Sequence, residues 1–150
     1  MKPIVSDGAW SPAEGVCAFL ASLGVSRTSS IHLVGRGALA SLLWLCRHGF
    51  DQVAILNGAP APAERADLLL CLDASGAATF ERLAAGMRRV RPGGTIVLRA
   101  EGQSCTDRER ARRLLRRPGF HIERRLRSGR GDVYIARRDQ APAAIAAAGR

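Results

Sequence analysis

Apolar residues fall along this chain in two patterns, short unbroken runs and longer stretches with one apolar stripe, and their alternation predicts strands interleaved with helices. Residues 11–24 read as a helix with Ser11 at its N-cap, Pro12 in its first position, Val16, Phe19, Leu20 and Leu23 on one face, and Gly24 as its stop. Residues 31–35 then read as a strand, 37–48 as a strongly apolar helix ended by Gly49, and 52–56 as a second strand. The prolines of Asn57-Gly-Ala-Pro-Ala-Pro-Ala63 bar helix and ladder alike, which predicts a loop. Asp67-Leu-Leu-Leu-Cys-Leu72 is the unbroken run of a strand buried on both faces of a parallel sheet.

Residues 76–90 read as a helix with Phe80, Leu83, Met87 and Val90 on one side; Pro92-Gly93-Gly94 then turns the chain into a strand at Thr95–Arg99. Thr106 and Glu109 have the spacing of a capping box and open a short arginine-laden helix that runs to Arg117. Residues 120–126 and 132–138 alternate as two strands joined by Ser128-Gly-Arg-Gly131, an antiparallel hairpin. The expected architecture is one three-layer α/β domain over residues 1–138, with 1–27 as a helical lead-in and 139–150 as a flexible alanine-rich tail.

Composition narrows the class of protein. An apolar content of 47% with 24% charged residues is that of a globular domain, and no apolar run is long enough to span a bilayer. The N-terminus lacks the layout of a secretory signal. Cys17, Cys46, Cys71 and Cys105 are scattered, with no Cys-x-x-Cys and no histidine pairing, so neither a metal site nor a disulfide framework is expected. Reduced thiols fit a cytoplasmic location. The net charge of +10 is one-sided: the first 75 residues carry five basic and six acidic side chains, the last 75 carry 18 and seven. Arginine in place of lysine can follow from a GC-rich genome, but such a bias acts on both halves.

The stretch with most chemical content is Ile31-His-Leu-Val-Gly35-Arg-Gly37-Ala-Leu-Ala40, a strand running through Gly-x-Gly into a helix. That arrangement brings bare backbone and the N–H groups of a helix N-terminus up to a nucleotide-derived ligand in a Rossmann-like, mostly parallel sheet. The switch-point rule puts the ligand at the carboxyl ends of the strands, in loops 35–38, 57–66, 73–76 and 100–105.

Leu33-Val-Gly35-Arg-Gly37, Ala66-Asp67-Leu-Leu-Leu-Cys-Leu-Asp73 and Met87-Arg-Arg-Val-Arg-Pro-Gly-Gly-Thr-Ile-Val-Leu98, taken in that order, resemble the class I S-adenosylmethionine (SAM) methyltransferases over residues 28–138. Pro118-Gly119-Phe120 and the hairpin ending Tyr134-Ile-Ala-Arg-Arg138 resemble that family's close. The resemblance implies a Rossmann-like sheet with a C-terminal antiparallel hairpin, SAM as cofactor, and cofactor contacts at Gly35, Arg36, Gly37, Asn57 and Asp73. It is incomplete. Leu33 stands where the family carries an acid, Leu39 where it carries a third glycine, and Asn57 where it carries the ribose-binding acid. An amide has one acceptor oxygen for two hydroxyls, a loss of roughly 1.5–3 kcal/mol in affinity. Asp67 follows Asn57 by ten residues, too few for the family's next helix–strand unit, so the fold is expected to lack it.

Gly35-Arg-Gly37-Ala-Leu-Ala40 also fits G-x-G-x-x-A, which would make the chain an NAD(P)-binding Rossmann domain with Asn57 at the ribose position. Each remaining candidate has a plainer reading. Asp73 is either a ligand contact or, with Ser75, a cap for the helix beginning near Gly76. His32, His48 and His121 read as structural, so no catalytic base is assigned. Cys71 reads as an inert core thiol and Cys105 as an exposed one.

Arg108, Arg112 and Arg116 recur every four residues with Arg113 and Arg117 beside them, and Arg110, Arg124, Arg125, Arg127 and Arg130 extend the cluster. Such a surface suits RNA, DNA or an acidic protein, or it is a solvated helix face; no aromatic residues interleave for base stacking. Two functions therefore stand out: a methyltransferase-like protein that binds SAM weakly or in an altered pose and methylates some acceptor, or a non-catalytic relative that holds an anionic partner through its arginines.

Overall fold

The computed structural model describes residues 13–57, 64–101, 105–128 and 131–140. Ten elements follow in order: α1 (Ala13–Ser22), β1 (Ile31–Val34), α2 (Ala38–Arg47), β2 (Val53–Ile55), β3 (Ala66–Cys71), α3 (Ala77–Met87), β4 (Val90–Glu101), α4 (Cys105–Leu115), β5 (Phe120–Ser128) and β6 (Gly131–Arg138). The six strands form one sheet in the order β2-β1-β3-β4-β6-β5. Its first four strands are parallel, while β6 runs antiparallel to both β4 and β5.

Strand alternation divides the core into two layers. Ile31, Leu33, Leu68, Leu70, Val97, Val133 and Ile135 pack with Phe19 and Leu20 of α1 and Ala38 and Leu45 of α2. Val34, Leu69, Cys71, Ile96, Leu98, Tyr134 and Ala136 pack on the other face with Phe80, Leu83 and Met87 of α3 and Ala111, Leu114 and Leu115 of α4. Each central strand therefore buries both faces, which is why β3 reads as an unbroken apolar run. At Gly86 the close approach of α3 to the sheet requires the missing side chain, since a Cβ there would lie 2.8 Å from Leu56 Cδ1.

Three local expectations are corrected. Val90 belongs to β4, opposite Ala66, and is not the last turn of a helix. Pro92-Gly93-Gly94 lies within that strand as an irregularity: the register passes from Ala66↔Val90 to Leu68↔Thr95, so the proline sits where the ladder asks nothing of its missing N–H. Thr106 lies inside the first turn of α4, which begins at Cys105, so it is not the cap. Ser11 and Pro12, the prolines of the 57–63 loop, Arg130 and the tail beyond Gln140 fall outside the described residues. Ten residues, 56–65, separate β2 from β3, and among the described residues β2 is the sheet edge with no further helix–strand unit beyond it.

Candidate functional site

β1 connects outward to β2 on one side and lies beside β3 on the other, so the order of connection reverses between β1 and β3. The loops after β2, β1 and β3 then stand side by side at the carboxyl end of the sheet, where an open α/β sheet takes its ligand. Gly35 (φ 97°) and Gly37 (φ 82°) both occupy the left-handed region that side chains avoid. Their surroundings differ. A Cβ on Gly35 would lie 3.0 Å from the Asp73 carbonyl oxygen and 3.3 Å from Cys71 Sγ, so the β1 turn is pressed onto the end of β3. A Cβ on Gly37 would meet nothing within 4 Å, so backbone there is open to approach. Gly37 caps α2 without a side-chain hydrogen bond, and the first turn of α2 has no acidic residue, leaving the positive end of the helix dipole uncompensated by the chain itself.

Arg36 projects from the turn, 87% exposed, with Nε 3.8 Å from Asp73 Oδ2. Asp73 is only 18% exposed. The capping alternative for Asp73 and Ser75 is corrected: Gly76 is the N-cap of α3 (φ 81°, ψ 150°) and receives no side-chain cap bond, while the Asp73 carboxylate faces Arg36. Asn57 follows β2 and is exposed; the Leu56 amide donates to the Leu33 carbonyl at 2.8 Å and so ties that end of β2 to β1. Gly35, Arg36, Gly37, Asn57 and Asp73 thus lie on three adjacent loops at the carboxyl end of the sheet.

A cavity of about 550 Å³ lies at the opposite end of the sheet, among Ser30, Gln52, Asp67, Arg91 and Gly93. Two of its charges are paired with each other: Asp67 accepts from the Ser30 amide at 2.8 Å and from Arg91 Nη1 at 2.7 Å.

The histidines sit away from the glycine turn. His32 is buried beneath α3's side of the sheet, and its Nδ1 has no hydrogen-bond partner among the described residues. Burial, with a smaller contribution from the Arg89 charge, holds its pKa below the usual 6.5. His48 shares a 2.8 Å hydrogen bond between Nδ1 and the Trp44 carbonyl and stacks on the Trp44 ring. His121 Nδ1 lies 2.6 Å from Asp139 Oδ1. Burial pushes the Cys71 thiol up to about 12, so it is protonated and inert at neutral pH, while Cys105 is exposed. Among the described residues no three metal-ligating side chains cluster, and no helix is long and apolar enough to cross a membrane.

The arginines divide across the ridge of α4. Arg110, Arg113 and Arg117 face a groove shared with α3, while Arg112 and Arg116 face one shared with β5 that also takes Arg125. Sequence reading missed what lies beneath the second groove. Buried Asp132 accepts from Arg125 Nε at 3.1 Å and from its Nη2 at 2.5 Å, and the buried Tyr134 hydroxyl lies 3.5 Å from the same carboxylate. Phe120 and Tyr134 line this groove, Phe120 half-buried against the core and Tyr134 fully buried. No sequence spacing signals that meeting, since it depends on the register between β5 and β6.

No family model matches the sequence, and no curated protein matches it. Solved structures do. A Streptococcus mutans protein named as a methyltransferase, solved in complex with S-adenosylhomocysteine (SAH), aligns with a TM-score of 0.56 at 13% identity, covering 85% of this chain and 97% of that one. The precorrin-6y C5,15-methyltransferase of Geobacter metallireducens aligns with a TM-score of 0.55 at 15% identity, covering 91% and 92%. An rRNA methylase of Streptococcus thermophilus aligns with a TM-score of 0.52 at 13% identity, covering 83% and 80%. With a glycine-hinged β1, a parallel switch point and the antiparallel β6 between β4 and β5, the chain has the fold of the class I SAM-dependent methyltransferases.

Proposed function

We propose that this chain is a methyltransferase-like protein that binds SAM, weakly or in an altered pose, at Gly35, Arg36, Gly37, Asn57 and Asp73. The observation that carries this reading is the pairing of an open Gly37 backbone with the Arg36–Asp73 ion pair at the parallel switch point. One cation and one anion 3.8 Å apart suit a ligand bearing both a carboxylate and an ammonium, because each ligand charge has a counter-charge to exchange onto. Asn57 suits the ribose less well, offering one acceptor where a carboxylate would serve both hydroxyls. When bound, SAM supplies a methyl group on a sulfonium. The chain's part is to hold and align, which a direct displacement needs more than it needs a covalent protein group. The antiparallel β6, set between β4 and β5, favours this reading over an NAD(P)-binding one.

Calorimetric titration tests it. SAH binds with Kd below about 100 μM, and Asp73→Asn weakens it by about tenfold. Silence for both SAM and SAH overturns the reading, and binding of NADP alone replaces it with the dinucleotide one.

A further inference from the structure

We infer that the apolar pocket between α1 and α2 binds a small uncharged aromatic molecule of one or two rings. Leu20 of α1, Leu45 of α2 and Leu70 of β3 form its buried floor, and its volume is about 220 Å³. A dry apolar cavity of about 150 Å³ takes benzene, whereas a drug-sized ligand needs about 300–1,000 Å³. The space therefore sets the size of the occupant. Among the described residues no charged side chain lines the pocket, so a charged occupant would give up its water with nothing to replace it.

Two wall residues narrow the chemistry further. Trp44 lines the pocket with an indole that is held in place: it stacks on His48 with ring centroids 4.0 Å apart, and His48 Nδ1 shares a hydrogen bond with the Trp44 carbonyl. With one face covered by His48, the indole has its remaining surface for the pocket, and a second ring packs on such a surface by offset stacking or edge to face. An aliphatic occupant of the same size fills the space without that gain. Ser41 adds a hydroxyl. A serine inside a helix often bonds back to the preceding turn, but the Ser41 side chain makes no hydrogen bond with the described residues, which leaves its hydroxyl for a hydroxyl or ring N–H of the occupant. Exposed Ala40 and Leu72, the residue before Asp73, form the opening. None of the seven lining residues is a proposed cofactor contact, so occupancy of the pocket does not depend on SAM.

Amide chemical-shift titrations of the full chain without SAM, using phenol, indole, toluene, cyclohexanol and benzoate, test the pocket. Phenol and indole shift Ser41, Trp44, Leu45, Leu70 and Leu72 together, with Kd of about 1 mM or below. Cyclohexanol binds about three- to tenfold more weakly than phenol, and benzoate more weakly still. Ser41→Ala weakens phenol by about three- to tenfold and leaves toluene unchanged. Ala40→Leu, at an exposed helical position, fills the opening and weakens phenol by about tenfold or more. Leu43→Ala, which removes a side chain 55% exposed on the same helix but outside the pocket, leaves phenol binding unchanged. The inference is overturned if no aromatic molecule moves these amides at about 10 mM, or if benzoate or cyclohexanol binds as tightly as phenol. It is equally overturned if Leu43→Ala weakens phenol as much as Ala40→Leu, the mark of adsorption to apolar surface, or if raising the protein concentration alone shifts the same amides, the mark of a second copy seated there.

Discussion

At the scale of single residues, two positions show how burial and backbone conformation set measurable behaviour. His32 stands inside the sheet with an unpartnered Nδ1 and a pKa held below 6.5 by burial. The folded chain therefore takes up fewer protons there than the unfolded chain once the pH falls past 6.5, and its contribution to stability, intact above that pH, is lost progressively below it. His32→Leu should flatten the fall in urea midpoint between pH 7.5 and 5.5; an unchanged slope would show that other groups carry the dependence. The two glycines of the β1 turn separate packing from access. Gly37→Ala meets only the conformational cost of a positive φ, about 1 kcal/mol, while Gly35→Ala adds a collision with the Asp73 carbonyl and should cost about 3 kcal/mol. Equal losses in denaturant melts would contradict the tight seat of Gly35 on β3. The sequence marks both as glycines of one motif; only the approach of β3, 36 residues on, tells them apart.

At the scale of elements, β5 carries the most information that the sequence withheld. Its pairing with β6 passes from Ile122↔Ala136 to Arg124↔Ile135, so Glu123 is an extra residue and the alternation changes phase there. Phe120 and Ile122 pack against the α4 side of the core, and past the bulge Arg125 rather than Arg124 stands opposite Tyr134. Arg125→Gln should leave Asp132 buried without its charge-assisted bonds and cost about 2 kcal/mol, while Arg124→Gln should change stability by less than about 0.5 kcal/mol. Similar effects from both, by urea melts, would mean that the bulge does not select Arg125. Most strands and helices were legible because apolar runs and stripes are local signals. The boundaries that moved, at Val90, at Pro92–Gly94 and at Thr106, moved because pairing with a distant strand or the first turn of a helix outweighed local turn chemistry.

At the scale of the whole molecule, the order of the sheet follows from features written along the chain. A ten-residue link after β2 leaves no room for a further helix–strand unit, and the two alternating C-terminal segments pair as a hairpin, so the sheet is both trimmed at one edge and reversed at the other. The candidate crevice is legible for a related reason: Gly35, Arg36, Gly37, Asn57 and Asp73 each follow a strand, and parallel pairing places strand ends together. The Arg36–Asp73 pairing was not legible, because it needs side chains from the loops after two different strands to meet, whereas the arginines of α4 and β5, neighbours along the chain, already read as one cluster. The charge asymmetry between the two halves becomes spatial as well: the arginine-rich elements α4, β5 and β6 occupy the sheet edge away from β1.

The central claim is that a cofactor meets the chain at the carboxyl end of β1 and β3. Amide chemical-shift mapping during SAH titration tests it most directly. The account predicts shifts at Gly35, Gly37, Asn57 and Asp73, with the amino-end cavity around Ser30, Asp67 and Arg91 unmoved; shifts confined to that cavity, or none at all at saturating SAH, would contradict it.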